Sequence, residues 1–189
     1  MAARIAIFLE ANSRLGTILD GNPRLVSYIR SLELRNFAVW VACKEDLVAY
    51  EPIRNSTAEI VLRLFNVEEL SLQHMAWNTL APVLRAALAK VLKAPTLTRI
   101  SLELFAVDNL STLISLLSDA VYLKVLKLNR IDLEDRTLFG NFIIPESDPN
   151  LVPPRSIKLS QLSITFIPDL SDWFQHESCL FEVRHLHSG

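Results

Sequence analysis

Six segments of this chain share one spacing of apolar positions. In residues 122–133, YLKVLKLNRIDL, Leu123, Leu126 and Leu128 fall in the order L-x-x-L-x-L, and apolar Ile131 and Leu133 follow. In an extended strand Leu126 and Leu128 point to one face, while Val125, Lys127 and Asn129 point to the other. One such strand cannot bury its apolar side alone, so it needs copies of itself alongside. The copies lead with Ile29, Val67, Leu97, Leu123, Leu159 and Val183, at steps of 38, 30, 26, 36 and 24 residues. Regular leucine-rich repeats run about 20–29 residues, so this array is looser and carries insertions. The Asn or Cys usual after such a segment is replaced by Phe37, Met75, Phe105 and Ile131. That replacement predicts an apolar spine and a turn closed by other means.

The remaining elements follow from local patterns. Residues 4–9 alternate, with Ile5, Ile7 and Leu9 on one side, which predicts a strand. Ser13 can cap a short helix carrying Leu15, Ile18 and Leu19, ended by Gly21 and Pro23. Pro52 and Asn55 suggest a loop within 40–55, and Ser56 with Glu59 forms a capping box for a helix holding Ile60, Val61 and Leu64. The clearest helix spans 80–93, where Leu80, Leu84, Leu88 and Leu92 recur at four-residue steps and Pro82 lies near the start. Asp108 can cap a helix with Leu110, Leu113, Ile114 and Leu117. Residues 134–156 carry Pro145, Pro149, Pro153 and Pro154 and read as an irregular surface insertion. A short helical turn follows at 169–175, and the last repeat looks truncated, leaving an uncovered sheet edge. The chain is thus expected to be one α/β domain over 1–189. It would be a leucine-rich-repeat-like solenoid, with a parallel sheet on the concave face and irregular helices on the convex face.

Three of these segments carry a resemblance. NPRLVSYIRSLEL (22–34), VEELSLQHMAW (67–77) and APTLTRISLELF (94–105) resemble the repeat region of fungal F-box/leucine-rich-repeat-like proteins, numerous in mushroom-forming species. The likeness covers residues 4–189 and is one of pattern, not of a catalytic motif. It implies the substrate-recognition part of a ubiquitin ligase receptor, in which F-box helices bind the ligase adaptor and the repeats choose the target. An F-box would open with a Leu-Pro pair ahead of the repeats, and nothing before Ile5 provides one. A ligase adaptor is therefore an expected partner only if an F-box lies outside this chain.

Composition narrows the function further. Half of the 189 residues are hydrophobic and mean hydropathy is +0.27, yet no apolar run reaches the roughly 20 residues that span a bilayer. The net charge of −2, of mixed sign, gives no electrostatic footprint for nucleic acid or for an anionic membrane. Cys43 and Cys179 are far apart and read as reduced, buried thiols, and the N-terminus lacks a secretory pattern, so a cytoplasmic or nuclear location is expected.

Catalytic signals are poor. The four glycines are too scattered for a phosphate-cradling loop. His185 and His187 share a strand face but find only Glu182 as a further ligand, so an exposed strand end is favoured over a metal site. Cys179 with His176 lacks an orienting third group. Trp40, Trp77 and Trp173 could anchor an interface, though Trp77 occupies a repeated apolar position and reads as core. No enzyme, no cofactor and no metal are expected.

Stacking the strands in parallel sets their outward residues in columns about 4.8 Å apart. The first is Ser31, Glu69, Arg99, Val125, Gln161 and His185, the second Glu33, Ser71, Ser101, Lys127, Ser163 and His187. The third is Arg35, Gln73, Glu103, Asn129 and Thr165. The candidate protein-binding residues are Glu33, Arg35, Glu69, Gln73, Arg99, Glu103, Lys127, Asn129, Gln161 and Thr165. Mixed charge points to an unidentified protein partner, not a polyanion. Two alternatives remain: a face that is merely solvated, or a stand-alone scaffold or enzyme built around 134–156.

Overall fold

The computed structural model describes residues 2–36, 44–133, 156–166, 173–174 and 179–188. It is an α/β structure. Helix α1 (Ala2–Gly21) leads through a 3-10 segment (Pro23–Tyr28) to strand β1 (Ser31–Arg35). Helix α2 (Lys44–Arg63), β2 (Glu69–Ala76), α3 (Pro82–Leu92), β3 (Arg99–Val107), α4 (Leu110–Ser118) and β4 (Val125–Leu133) alternate after it. Four strands complete the described chain: β5 (Ile157–Leu159), β6 (Gln161–Thr165), β7 (Phe181–Val183) and β8 (Leu186–Ser188).

Six strands form one sheet in the order β1-β2-β3-β4-β6-β8, every neighbouring pair parallel. The register confirms the expected alignment. Ser31 pairs with Glu69, Glu69 with Arg99, Arg99 with Val125, Val125 with Gln161, and Leu162 with Leu186. Subtracting the paired numbers gives 38, 30, 26, 36 and 24, the spacings of the sequence repeat. The repetition extends to single atoms. The carbonyl of Arg30 accepts from the amides of Glu68 and Glu69, that of Glu68 from Thr98 and Arg99, that of Thr98 from Lys124 and Val125, and that of Lys124 from Ser160 and Gln161. Strands β2, β3, β4 and β6 are therefore each pinned at the first residue by the same forked bond, whatever the length of the connection before them.

The apolar positions between the columns form the core. Leu70, Ile100, Leu126 and Leu162 lie in one row and Leu72, Leu102, Leu128 and Ile164 in the next, all buried. Buried residues of α2, α3 and α4 join the same cluster, so the helices cover one face of the sheet and leave the column face open. The expected spine exists as well: Met75, Phe105 and Ile131 pair in register and are buried. Trp77 lies 6.4 Å from the Phe105 ring and is core, as its position suggested.

How the strand reaches that spine was not foreseen. Asn36, His74, Leu104, Arg130 and Phe166 all have positive φ, between 48° and 61°. The pairs on either side place them at one register position. Strict alternation would turn Met75 toward solvent, because Leu72 is buried and Gln73 is not. A left-handed residue at 74 reverses the sequence: Gln73 and His74 are both outside the core and Met75 is buried. Every strand of this row bends at the same place.

Several sequence expectations are corrected. Residues 4–9 are not a strand but part of α1, which runs unbroken past Ser13. Three alternating apolar residues were too short a signal against a run rich in Ala, Leu and Arg, which favour helix. Residues 44–55 are helical, not a loop: α2 contains Pro52 in its interior and Ser56 well past its start. The Ser56 hydroxyl donates to the Ile53 carbonyl instead of capping. Pro52 forfeits a helical hydrogen bond, but Ile53, Ala58, Ile60 and Val61 bury one side of the helix and hold it. The cap of α4 is Asn109, not Asp108; its Oδ1 accepts from the Thr112 amide at 2.9 Å. Leu159 and Val183 are not in the main sheet but in a two-stranded parallel one made by β5 and β7. The expectations for 134–155, for Phe37, Trp40, Cys43 and His176, and for most of 169–175 lie outside the described residues.

Candidate functional site

The open face of the sheet holds every candidate binding residue. Three positions on each of β1, β2, β3, β4 and β6 point there, and none of these side chains is buried. Glu33, Arg35, Glu69, Arg99 and Lys127 are exposed, and Gln73, Glu103, Asn129, Gln161 and Thr165 are half-buried. Their columns match the expected order: Glu69 beside Arg99, Gln73 beside Glu103 and Asn129, Lys127 beside Ser101 and Ser163.

Polar side chains are tied together across the strands. Glu33 is ion-paired with Arg35 on its own strand, and Gln73 Nε2 donates to Glu33 Oε1 at 2.8 Å and to Ser71 Oγ at 3.1 Å. Asn129 Nδ2 donates to Glu103 Oε1 at 3.4 Å. These links fix side chains that would otherwise sample many rotamers, which lowers the ordering cost of binding. Glu69, Arg99 and Lys127 form no ion pair among the described residues. Being register neighbours did not join Glu69 and Arg99.

A groove of about 420 Å³ runs over this face, across β1 to β6. Ser31, Ser71 and Ser101 make part of its floor, while Glu33 and Glu69 stand at the β1–β2 side and Arg99 and Lys127 at the β3–β4 side. Small hydroxyl side chains keep the floor low, and the two charge signs are segregated along it. Such a groove can present hydrogen bonds and a charge pattern to a polar surface. It has few apolar walls to enclose a small molecule.

One margin of the face is the row of left-handed residues. Its side chains project at the bend, and Arg130 lies over the Phe166 ring at 5.1 Å from the centroid, with Phe166 69 % exposed. The signal for this row was legible: two non-core residues separate the last Leu from the spine in each copy, as in Gln73-His74 and Asn129-Arg130. The other candidate groups do not gather with the groove. His185 and Glu182 are exposed, Cys179 is buried, and Trp173 is buried edge-on against Phe174 and Phe181 at 4.7 and 5.9 Å. No cluster of three or more His, Cys, Asp or Glu that could hold a metal occurs among the described residues. Among them no helix is long and apolar enough to cross a membrane.

Away from the face, Arg54 on α2 is buried at 6 % exposure. Desolvation lowers its pKa from the ordinary arginine value, and the nearby Glu51 charge opposes that shift.

No protein-family model, curated protein or solved structure matches this chain.

Proposed function

We propose that the chain is a protein-interaction module, a leucine-rich-repeat-like solenoid whose open sheet face grips a partner protein. The observation that carries this reading is the segregation on the sheet: in five in-register strands the alternate positions are unburied and, Val125 apart, polar, while those between are Leu or Ile and, Leu32 apart, buried. The connections between strands vary in length while the face keeps one register. In proteins whose stacked repeats each contact only their neighbours, such an extended face is the usual binding surface. The resemblance to F-box/leucine-rich-repeat-like proteins makes the substrate-recognition part of a ubiquitin ligase receptor the specific form of this proposal. The ligase adaptor would then be recruited by an F-box supplied outside these residues.

A photo-crosslinking amino acid placed at Ser101, on the face, and at Lys90, on the helix side, tests the module. A partner should be captured from Ser101 alone, and Arg99→Glu with Lys127→Glu should abolish its capture. Equal capture from both sites, or capture indifferent to the charge reversals, would refute the reading. Co-purification of the full gene product with a ligase adaptor tests the receptor form separately.

A further inference from the structure

The end of the molecule formed by α1 and β1 is unusually apolar. Of the twelve large hydrophobic side chains exposed among the described residues, six belong to residues 7–28: Ile7, Phe8, Leu15, Ile18, Leu25 and Tyr28. On α1 their spacing is helical. Ile7, Ala11, Leu15 and Ile18 fall at steps of four, four and three and line one surface hollow, and Ile7 and Ile18 are 65 % and 55 % exposed.

The opposite side of α1 is held by the protein through buried Leu19 and through polar contacts to α2. Asn12 donates to Ser56 Oγ and Thr57 Oγ1 of α2 at 2.9 and 3.0 Å. Arg63 of α2 reaches the Gly16 carbonyl at 3.1 Å and Asp20 at 2.9 Å. A terminal helix would ordinarily turn its apolar stripe inward and its polar one to water. On α1 the inward side already supplies buried Leu19 to the core, with Leu9 half-buried, and a second apolar stripe is left facing outward, which implies that a further surface completes it. Among the described residues both layers are open at this end, since β1 is an edge strand and α1 packs chiefly on α2 and the 3-10 segment.

We propose that the surface completing it is a second copy of this chain, with α1 pairing antiparallel to α1 about a two-fold axis between Ala11 and Arg14. The choice of occupant rests on self-complementarity. Reversing the helix on itself brings Ile7 against the second copy's Ile18 and sets small Ala11 near the crossing, where helices can approach closely. Glu10 and Arg14 flank the stripe on one side, exposed and ion-paired within the helix. Two-fold pairing sets Glu10 beside the second copy's Arg14, twice. A like-signed flank would repel its own copy, whereas this one attracts it. The exposed Leu25 and Tyr28, and the backbone edge of β1 that is unpaired among the described residues, lie at the same end. They extend the contact toward the roughly 800 Å² per partner of a stable interface.

Light scattering across a concentration series provides the test, with three variants confined to exposed side chains. The wild-type chain should weigh twice its 21.4 kDa mass, and Ile18→Glu should restore the single-chain mass. Glu10→Arg and Arg14→Glu should each be monomeric alone, and mixing the two should regenerate a dimer, because each then meets its opposite. A monomeric wild type at every concentration would assign this end to another occupant and overturn the proposal. So would a dimer that survives Ile18→Glu, or a mixture of the charge variants that stays monomeric.

Discussion

Replacing His74 isolates the energetics of the repeated bend. His74 has φ near 51° and an exposed side chain, so substitutions there change backbone preference without opening a cavity. An L-residue in the left-handed region costs about 1–2 kcal/mol, and glycine avoids that cost at an entropic loss of about 0.5–1 kcal/mol. His74→Gly should therefore stabilise by roughly 0.5–1 kcal/mol, which for a chain of this size is a rise in melting temperature of about 1–4 °C. His74→Val should destabilise by about 1–3 kcal/mol, because a β-branched side chain is an outlier at positive φ. The control is its neighbour. Gln73→Val, one residue earlier in ordinary extended backbone, should fall within about 0.5 kcal/mol of wild type. Urea titrations with an unchanged slope measure all three. Equal tolerance of Val at 73 and 74, or a glycine variant no more stable than wild type, would refute the account. The bend persists because the strain of about 1–2 kcal/mol per strand is offset by burying Met75, Phe105 or Ile131, at about 1.5–3 kcal/mol each.

Leu126 is fully buried and Lys127 exposed; Leu126→Ala should cost about 2–5 kcal/mol and Lys127→Ala within about 0.5 kcal/mol in the same titration. Asn109→Ala should lose about 0.5–2 kcal/mol with the α4 cap, while Asp108→Ala should leave the melt unchanged. Arg54 is buried with its Nη2 unpartnered among the described residues. Arg54→Met should raise the melting temperature by removing a desolvated charge worth about 1–3 kcal/mol, and a lowered one would show that the guanidinium is better satisfied than its geometry indicates.

The sheet was readable because its signal is redundant. Leu70, Ile100, Leu126 and Leu162 each sit in the same short phrase, so an error in one copy is corrected by the others, and the register of all the columns followed from five spacings. The helices offered no such repetition. Each had to be judged from its own local residues, and Pro52, Ser56 and Asp108 gave local advice that packing overruled. Burial on α2 outweighed a proline, and a hydroxyl that looked like a cap became an acceptor for Asn12 from the neighbouring helix. The left-handed row fell between these cases: its two-residue offset was repeated in every copy and a spine was expected beyond it, but the backbone conformation that reaches the spine was not specified.

That contrast bears on how freely the open face can change. Residues that hold the register, the Leu rows, the spine and the forked bonds at each strand start, are buried or belong to the backbone. Residues that shape the groove are joined by exposed or half-buried side-chain contacts, such as Gln73 to Glu33 and Asn129 to Glu103, which are individually weak. Substitution on the open face therefore perturbs stability little while altering charge and hydrogen bonding at known positions 4.8 Å apart, on the order of one strand spacing. The connections can change length as well, since β2, β3, β4 and β6 are each pinned at the first residue and the register does not depend on them. On the proposed reading as an interaction module, a surface whose chemistry is separable from its scaffold in this way can change its partner without changing its fold.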